Sequence, residues 1–374
     1  MRVRMPLFPR NAPGRAHPRA SASAAPSRPP ASGPAARPAL RRFLTGAAGL
    51  CLAALSVIVG CRAFGVDGVT PVPQLLAFLP WLLVPTAAAL VLAALLRWRT
   101  GVVWGLVVLA ATGWFVQPYG EGSYGTEALG AAPRTGTGSG AGTRGPVVAR
   151  IDVLSSNVEF GQATPALVTT IRRERPDLVF VQECDAVCVR LLTDRIPHAD
   201  YPYRNVVKSG AGEAKGSVIL SALPLTGTEG IKGALGMPGS RAVIGGRTVQ
   251  LQLVHPMPPL PGGVGIWRDE LGAIRTYAAG HKDAPLILAG DFNATRDHAA
   301  FRDILDAGRL RDSSVGGGAG RTPSWPADVP RPLGAQIDHV LISDDFSVRD
   351  ARFLDLADTD HRSLLVRLEL RAGR

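Results

Sequence analysis

The chain has 374 residues, of which 46% are hydrophobic and 19% charged, and its formal net charge is +11 at pH 7. Nine arginines and no acidic residue lie within residues 1–42, whereas the chain from Gly145 onward carries 27 basic and 27 acidic residues. The C-terminal part is therefore electrically balanced, which disfavours a domain that binds nucleic acid by tracking its phosphates. Four cysteines are too few for a disulfide framework in a chain of this length.

Composition divides the chain into four parts. Residues 1–42 are rich in Pro, Ala, Ser and Arg without hydrophobic periodicity, which predicts a disordered basic arm. Residues 43–116 are strongly hydrophobic, and residues 117–146 contain a Gly, Ser and Thr run that is typical of a flexible linker. Residues 147–374 have the mixed composition of a globular domain.

Three hydrophobic stretches fill the second part. Phe43–Gly60 has 18 residues and Pro73–Leu96 has 24, both without a charge, and Gly101–Val116 adds 16 more. Because about 20 apolar residues cross a bilayer, these stretches predict three transmembrane helices. Buried core helices of a soluble domain are the alternative, but three such runs so close together make it unfavourable.

Basic residues predict the orientation of these helices. The Arg-rich arm and the short Arg97–Arg99 connection are expected to stay in the cytoplasm, so the C-terminal domain lies outside it. We therefore expect a multi-pass cell-membrane protein with the lipid bilayer as its partner. Ile58–Cys61 also looks like a lipoprotein cleavage site, and cleavage there would leave two spans and the same external domain.

The C-terminal domain alternates strand-like and helix-like patterns. A helix is predicted at Thr164–Glu174. Alternating or short apolar runs predict strands at Val148–Ser155, Asp177–Val181, Gly216–Leu220, Thr248–Val254, Pro285–Ala289, Gln336–Ile342 and Ser363–Leu370. This mixture predicts a mixed α/β layered sandwich.

Two cysteines, Cys184 and Cys188, directly follow the second predicted strand. They could pair in an oxidising compartment. The simpler interpretation is two small, semi-buried residues at the start of a helix. Zinc is not favoured, because no second Cys or His pair has ligand spacing.

Polar side chains recur where these strands end or begin. The set consists of Asn157, Glu183, His255, Asp291, Asn293, Asp338, Asp360 and His361. Any one of them could cap a helix or stabilise a turn, but their recurrence indicates that they meet in one cluster. Carboxylates, carboxamides and imidazoles together suit a Mg²⁺ or Mn²⁺ site that acts on phosphate.

The combination of Gly290-Asp-Phe-Asn293 with Asp360-His361 resembles the motifs of the endonuclease/exonuclease/phosphatase superfamily of divalent-metal phosphohydrolases. The resemblance covers most of residues 148–370. It implies an α/β (α+β) four-layer sandwich of two mixed β-sheets flanked by helices, here preceded by about three transmembrane helices.

The resemblance also implies a metal site. Glu183 would be the principal ligand of Mg²⁺ (or Mn²⁺), assisted by Asn157 and Asp360. Two positions depart from the family pattern: Ser156 replaces an aromatic residue, and Thr359 replaces a serine before the final Asp-His.

The remaining residues of the set have catalytic roles by the same resemblance. Asp291 would position or deprotonate the attacking water, and Asn293 would hold a phosphate oxygen. His361 would donate to the phosphate, while Asp338 fixes its tautomer. His255 would act on the leaving-group side as a second donor or acid.

An apolar, proline-rich loop, Pro256–Arg268, follows His255. It is either a rigid polyproline connector or a loop that rests on the lipid surface with Trp267 as its anchor. In the second interpretation Arg268 binds a second phosphate of the substrate.

Members of the superfamily cut nucleic acids, lipids and pyrophosphates. Three spans before such a domain also resemble bacterial teicoplanin-resistance membrane proteins, which act on polyprenyl pyrophosphate carriers. We therefore expect a membrane-anchored phosphatase or phosphodiesterase with an extracytoplasmic domain and a phosphate-containing substrate, a lipid (polyprenyl) pyrophosphate being favoured. The alternatives are a membrane-tethered nuclease, for which nucleic acid is the less favoured substrate, and a non-catalytic sensor of phospholipid headgroups. No obligate protein partner is indicated.

Overall fold

A computed structural model describes residues 36–117 and 145–373. Most of the predicted arm (1–42) and linker (117–146) therefore lies outside the described residues. The chain divides into one unit that ends at Leu44 and a second that spans Thr45–Arg374. Every contact described below lies within the second unit.

The hydrophobic region is helical. Its helices are α1 (Ala36–Phe64), α2 (Val72–Ala77), α3 (Leu83–Leu95) and α4 (Arg99–Val116), with a 3-10 turn at Leu79–Leu82. Among the described residues, two helical stretches, Pro38–Phe64 and Arg99–Val116, are long and apolar enough to cross a membrane. Only 28% of the apolar window of each is buried, and exposed apolar side chains such as Val103 and Leu106 lie on α4. Core helices of a soluble protein would bury far more of this surface.

The second predicted span, Pro73–Leu96, is not one continuous helix. α2 ends at Ala77, and the chain turns at Phe78 (φ −109°, ψ 32°) before the 3-10 turn and α3 begin. Pro80 has no backbone N–H with which to continue the helix ladder, which explains the break. The apolar helical stretch that remains, Leu79–Leu95, is shorter than the other two, so the prediction of one transmembrane helix over Pro73–Leu96 is wrong in its extent.

The C-terminal domain contains the remaining elements. Its strands are β1 (Val147–Asn157), β2 (Leu178–Gln182), β3 (Tyr203–Val207), β4 (Ser217–Ser221), β5 (Leu225–Ile231), β6 (Met237–Ile244), β7 (Arg247–Val254), β8 (Leu286–Asp291), β9 (Arg311–Asp312), β10 (Asp338–Ile342), β11 (Phe346–Leu354) and β12 (Ser363–Arg371). Its helices are α5 (Thr164–Glu174), α6 (Ala186–Arg195), α7 (Val264–Gly280), α8 (Ala299–Gly308) and α9 (Ser313–Gly316). All the predicted strands and the predicted helix are confirmed, while β3, β5, β6, β9 and β11 were not predicted.

The strands form two six-stranded mixed sheets. Their orders are β11-β12-β1-β2-β4-β3 and β5-β6-β7-β8-β10-β9. Each sheet has one parallel pair at its centre, β1 with β2 and β7 with β8. A parallel pair needs a crossover connection, and α5 and α7 supply it. The predicted fold class, two mixed sheets flanked by helices, is confirmed.

The core consists of three layers of buried side chains. Alternate residues of each strand point to opposite faces: Val153 of β1 packs between the two sheets, and Leu154 packs under α5 and α6. On the other side, α7 and α8 cover the second sheet with residues such as Leu271 and Phe301. Each fully buried side chain of this size contributes about 1.5–3 kcal/mol. The sandwich therefore fixes the ends of its central strands firmly.

Candidate active site

Functional side chains collect at one edge of the two sheets. The two central parallel pairs end at this edge, and β10 and β12, which run antiparallel to them, begin there. The side chains brought together in this way belong to Asn157, Glu183, His255, Asp291, Asp338 and His361. Clefts at the carboxyl ends of central parallel strands are the usual place for ligands in sheets of this kind.

Asn157 links two carboxylates. Its Nδ2 donates to Oε1 of Glu183 at 3.0 Å and to Oδ2 of Asp291 at 3.3 Å. The other Glu183 oxygen, Oε2, accepts from the backbone N–H of Phe160 at 3.0 Å. Both acids, which lie in different sheets, are thus held at one point.

The backbone of the Gly290–Asn293 segment explains why these residue types occur there. Gly290 pairs with Val254 of β7, and a Cβ at this glycine would collide with the Val254 carbonyl oxygen. Asn293 has a left-handed backbone (φ 48°), which asparagine tolerates better than most residues. Its N–H donates to Asp291 Oδ1 at 2.7 Å, and its Nδ2 donates to the Pro256 carbonyl at 2.9 Å. The segment therefore orients Asp291 and ties the loop after β7 to the loop after β8.

Glu183 also has a left-handed backbone, with φ 56°. This conformation is unfavourable for a residue with a long side chain, and such outliers concentrate at functional sites. The next residue, Cys184, forms a disulfide with Cys188, and both are fully buried. The favoured interpretation of these cysteines as unpaired is therefore wrong. The physical reason is the first turn of α6: Asp185 caps this helix by accepting, through Oδ1, from the N–H groups of Val187 and Cys188. The turn brings Cys188 back to Cys184.

His361 is the positive charge of the site. Its Nδ1 lies 2.9 Å from Asp338 Oδ2, and its Nε2 lies 3.7 Å from Asp291 Oδ2. Burial alone would lower the pKa of His361, but the Asp338 and Asp291 carboxylates outweigh burial and raise it to about 10. His361 is therefore an imidazolium at neutral pH, with Nδ1–H donated to Asp338 and Nε2–H directed toward Asp291.

His255 has the opposite character. It is buried, and its Nε2 lies 3.8 Å from Glu183 Oε1 and 3.9 Å from Asp291 Oδ2. Burial, reinforced by the positive charge of His361, lowers the pKa of His255 to about 3. A neutral imidazole donates one hydrogen bond, so His255 acts as a donor or acceptor and not as a charged acid.

Asp291 is the hub of the cluster. Its Oδ2 faces the Asn157 amide and both imidazoles. Burial raises its pKa to about 7, an effect that His361 opposes and Asp338 adds to. A carboxylate that titrates near neutral pH is suited to accept and release a proton.

Asp360 meets the cluster at His361, whose Nε2 is 3.7 Å from its Oδ1. Its Oδ2 accepts from Trp325 Nε1 at 2.8 Å. Its backbone N–H donates to Glu159 Oε2 at 2.8 Å. Trp325 and Glu159 were not predicted: a tryptophan between serine and proline in a loop is at most a weak sequence signal.

Both departures from the family pattern are built into the site. The Thr359 hydroxyl donates to the Asn157 carbonyl at 3.0 Å and accepts from the His361 N–H at 3.1 Å. Ser156 is buried, and its hydroxyl accepts from Ser363 at 2.8 Å. Thr359 thus keeps the hydroxyl that connects the first and last strands of the site.

The donor atoms fit a hard divalent cation that keeps water ligands. Among residues 36–117 and 145–373, no three His, Cys, Asp or Glu side chains are arranged to hold a metal by themselves. Glu183 nevertheless presents a carboxylate to the cavity. Asn157 would bind a cation through Oδ1, which here accepts from the Glu159 N–H at 3.0 Å, while its Nδ2 faces Glu183 and Asp291. Mg²⁺ is commonly held by one or two carboxylates and several waters. A cation would also offset the remaining negative charge, because the imidazolium of His361 is paired with Asp338 and the adjacent His255 is neutral.

The cluster lies in a cavity of about 540 Å³, a size typical of small-molecule sites. Its polar side, here called the floor, includes Glu183, His255, Asp291, Asn293, Asp360 and His361. Its apolar side, here called the wall, consists of Ala77, Phe78, Phe160, Leu235, Met257, Pro258, Pro259, Leu260 and Ile337. Outside the floor and the wall, the lining also contains Gln74, Glu159, Ala214, Trp325 and Ala335. Ala77 and Phe78 come from the hydrophobic region, which no sequence signal connects with the site.

Two residues of the loop after β7 do not take their predicted positions. Trp267 is fully buried in the first turns of α7, and its Nε1 donates to the Asn293 carbonyl at 3.1 Å. It is a core residue and not a membrane anchor. Arg268 does not line the cavity; it is half-exposed, with its Nε 3.8 Å from Asp67 Oδ1. Helix formation from Val264 turns Arg268 away from the floor.

The fold and the clustered polar residues are those of a known superfamily. The sequence profile of the Endonuclease/Exonuclease/phosphatase family matches residues 154–361, more than half of the chain. The chain belongs to this family. Its members are generally hydrolases that act on phosphodiester bonds, and they typically use divalent metal ions.

A search of curated protein sequences found no match. Among solved structures, D. rerio TDP2 complexed with single strand DNA product is 15% identical, with a TM-score of 0.49, over 59% of this chain and 98% of that one. An endonuclease/exonuclease/phosphatase from Beutenbergia cavernae is 18% identical, with a TM-score of 0.44, over 59% and 72%. A family protein from Bacteroides thetaiotaomicron is 15% identical, with a TM-score of 0.43, over 60% and 98%.

Proposed function

We propose that the protein is a multi-pass membrane phosphohydrolase that depends on a divalent metal and has an extracytoplasmic catalytic domain. Its substrate in this proposal is a membrane lipid that carries a phosphate ester or anhydride, a polyprenyl pyrophosphate being favoured. The observation that carries the proposal is the cavity that the hydrophobic region and the catalytic domain line together, in which a charged floor and an apolar wall occur side by side. A phosphate group suits the floor, and a hydrocarbon chain suits the wall.

The lining of the cavity also argues against nucleic acid. Among the described residues that line it, none is a lysine or an arginine. A nucleic acid strand carries several neighbouring phosphates, which binding proteins neutralise with such cations. A lipid has its charge at one end only and needs no further cations along its chain.

The floor residues divide the chemistry between them. A bound Mg²⁺ or Mn²⁺, held by Glu183 with Asn157 and with Asp360 on the His361 side, would supply Lewis-acid stabilisation of the phosphate. Asp291, which is poised near neutrality, takes the proton of the attacking water. His361 donates from Nε2 to a phosphate oxygen, and its link to Asp338 keeps that nitrogen protonated.

The two remaining polar residues assist on either side. His255, neutral and buried, offers a hydrogen bond on the leaving-group side. Asn293 lines the cavity and would hold a phosphate oxygen, while its link to Pro256 keeps the loop after β7 in place. Developing charge on the phosphate is thus met by preorganised donors, which is the largest source of catalysis in phosphoryl transfer.

Two features support the membrane topology. The carbonyl of Phe115, near the end of α4, accepts from Arg321 of the domain, whereas Arg97 and Arg99 lie at the opposite end of this 18-residue helix. Basic residues favour the cytoplasmic side. The Cys184–Cys188 disulfide is in keeping with an oxidising compartment.

The test is phosphate release by the purified full-length protein in detergent micelles, from a polyprenyl pyrophosphate and, in parallel, nicking of plasmid DNA. We expect lipid hydrolysis that requires Mg²⁺ or Mn²⁺, stops with EDTA and is lost in Glu183→Gln, with intact plasmid. Nicked plasmid and untouched lipid would instead identify a tethered nuclease. If both the wild-type protein and Glu183→Gln bind the lipid without hydrolysing it, the protein is a headgroup sensor.

A further inference from the structure

The segment between α1 and α3 lies against the catalytic domain. At its start, Asp67 is buried and accepts from the Ala300 N–H, near the beginning of α8, at 2.8 Å. Further along, the Pro73 carbonyl accepts from Nε2 of the buried His298 at 2.8 Å. The domain thus holds both ends of a short stretch of the hydrophobic region.

A buried ion-pair cluster reinforces this attachment. Arg62, near the end of α1, lies with its Nε 3.2 Å from Asp297 Oδ1, and both side chains are 2% exposed. Arg321 of the domain pairs with the same carboxylate at 2.9 Å. Buried ion pairs of this kind tolerate little movement, because separating the charges leaves each of them unpaired.

These attachments bring α2 to the active site. Gln74 Nε2 donates to the Pro259 carbonyl in the loop after β7. One turn later, the Phe78 ring lies 6.2 Å from the Trp325 ring, centroid to centroid. Trp325 in turn donates to Asp360 on the floor. Phe78 is therefore separated from the polar cluster by a single side chain.

The result is an apolar wall with two origins. Ala77 and Phe78 come from the hydrophobic region, and Met257–Leu260 come from the catalytic domain. Gln74 joins the two parts through its bond to Pro259. Residues 147–374 alone would lack one side of this cavity.

We propose that α2 with Phe78 is the substrate-selecting side of the active site, where Ala77 and Phe78 contact the hydrocarbon chain next to the scissile phosphate. The inference rests on the proposed function and adds the residues that read the lipid. Gln74, which also lines the cavity, is a positioning residue because its hydrogen bond holds the Pro259 loop. Chain length is therefore selected by a segment outside the family domain.

The test compares two probes on the full-length protein in micelles: a five-carbon and a fifteen-carbon isoprenyl diphosphate. We expect the wild-type protein to favour the longer chain in kcat/KM by about 100-fold, since each buried methylene increases discrimination. Phe78→Ala should reduce this ratio by about 10-fold, and Phe78→Leu should restore most of it. Ala77→Trp, whose larger side chain fills the cavity beside the wall, should lower kcat/KM for the long chain more than for the short one.

The matched control is Leu75→Ala on the same helix. Leu75 is exposed and does not line the cavity, so its variant should keep the wild-type ratio. Because the ratio is measured within one variant, partial loss of folded protein does not alter it. An unchanged ratio in Phe78→Ala, with both probes hydrolysed more slowly by the same factor, would show that Phe78 acts only through Trp325 and would overturn the inference.

A binding measurement separates the inference from the proposed function. Two proteins are prepared, in which p-benzoylphenylalanine replaces either Phe78 or Leu75. Each protein is irradiated with the fifteen-carbon diphosphate, and adducts are identified by mass spectrometry. An adduct at position 78 but not at position 75 supports the wall even if no probe is hydrolysed, in which case the proposed function alone fails. Equal labelling at both positions, or none, overturns the inference.

Discussion

The floor and the wall of the active-site cavity are built in different ways. Floor side chains extend from strand ends and the adjoining turns, and they fix one another through charge, as His361, Asp338 and Asp291 do. The wall comes largely from connections between elements, such as Phe78 after α2 and Met257–Leu260 after β7. If the proposed function holds, the sandwich determines the chemistry and the segments attached to it determine the choice of substrate. Variants of the two parts should therefore fail differently.

The largest effect is expected from Glu183→Gln. The substitution keeps the shape of the side chain but removes the carboxylate charge beside Asn157, so turnover should fall by roughly 1000-fold for long and short substrates alike. Phosphate release at saturating Mg²⁺ measures this loss. The exposed Glu213→Gln serves as the matched control and should keep full activity; a Glu183→Gln protein with more than a tenth of wild-type turnover would exclude Glu183 as a ligand.

A smaller effect is expected from Asp338→Asn. This variant removes the carboxylate that orients His361, a kind of change that typically costs 10–100-fold (about 1.4–2.8 kcal/mol) in activity. Because Asp338 also helps to raise the pKa of His361, the loss should grow as the pH rises above neutrality. Steady-state kinetics from pH 6 to 9 would detect it, with the exposed Asp344→Asn as the control. A pH-independent loss would contradict the assigned role.

Trp325→Phe tests the boundary between floor and wall. The substitution keeps a ring against Phe78 but removes the N–H that Asp360 accepts. Losing a hydrogen bond to a charged group costs about 1.5 kcal/mol, so kcat/KM should fall by about 10-fold for both isoprenyl diphosphates. The ratio of kcat/KM for the long and short diphosphates should stay unchanged. A change in the ratio would mean that Trp325 itself contacts the chain.

The smallest effect on turnover is expected from Asp297→Asn, which acts on the attachment of α1 and α2. Burial alone would raise the pKa of Asp297, but Arg321 and Arg62 outweigh it, so the folded-state pKa is lowered. A lowered pKa contributes stability that is fully present above the unfolded value near 3.9 and is lost as the pH falls through that value toward the folded one.

The expected cost of the substitution at neutral pH is about 3 kcal/mol of unfolding free energy. Thermal unfolding of the full-length protein between pH 7 and 3 provides the measurement, and the variant should lose less of its remaining stability on acidification than the wild type. An exposed ion pair offers the control. Asp283 is 76% exposed and lies 3.5 Å from Arg309, so Asp283→Asn should leave the unfolding free energy unchanged. Parallel acid profiles for wild type and Asp297→Asn would refute this account.

The floor was accessible to sequence reasoning because its residues follow buried strands. Strand β8 is continuously apolar, and the polar change at Asp291 marks its end, so the position of the side chain follows from the strand alone. β5 was missed for the converse reason: none of its residues is buried, it contains two glycines, Gly227 and Gly230, and it shows no apolar alternation. In β11 an irregular register between Val348 and Asp350 interrupts the alternation.

The wall was not accessible in this way. Phe78 lies inside an apolar stretch whose composition is the same whether it faces lipid, helices or a catalytic domain. Only the tertiary contacts of Asp67 and Pro73 decide between these surroundings. Trp267 shows the related error, because an apolar and proline-rich sequence looks exposed until the helix that begins at Val264 buries it.

The position of the last strand has a consequence for the synthesis of the protein. β12 lies between β11 and β1 and pairs Arg371 with Val147, so the first sheet is complete only when residues up to Arg371 have been synthesised. His361 immediately precedes this strand. A nascent or truncated chain without β12 is therefore expected to lack the assembled cluster of candidate active-site residues.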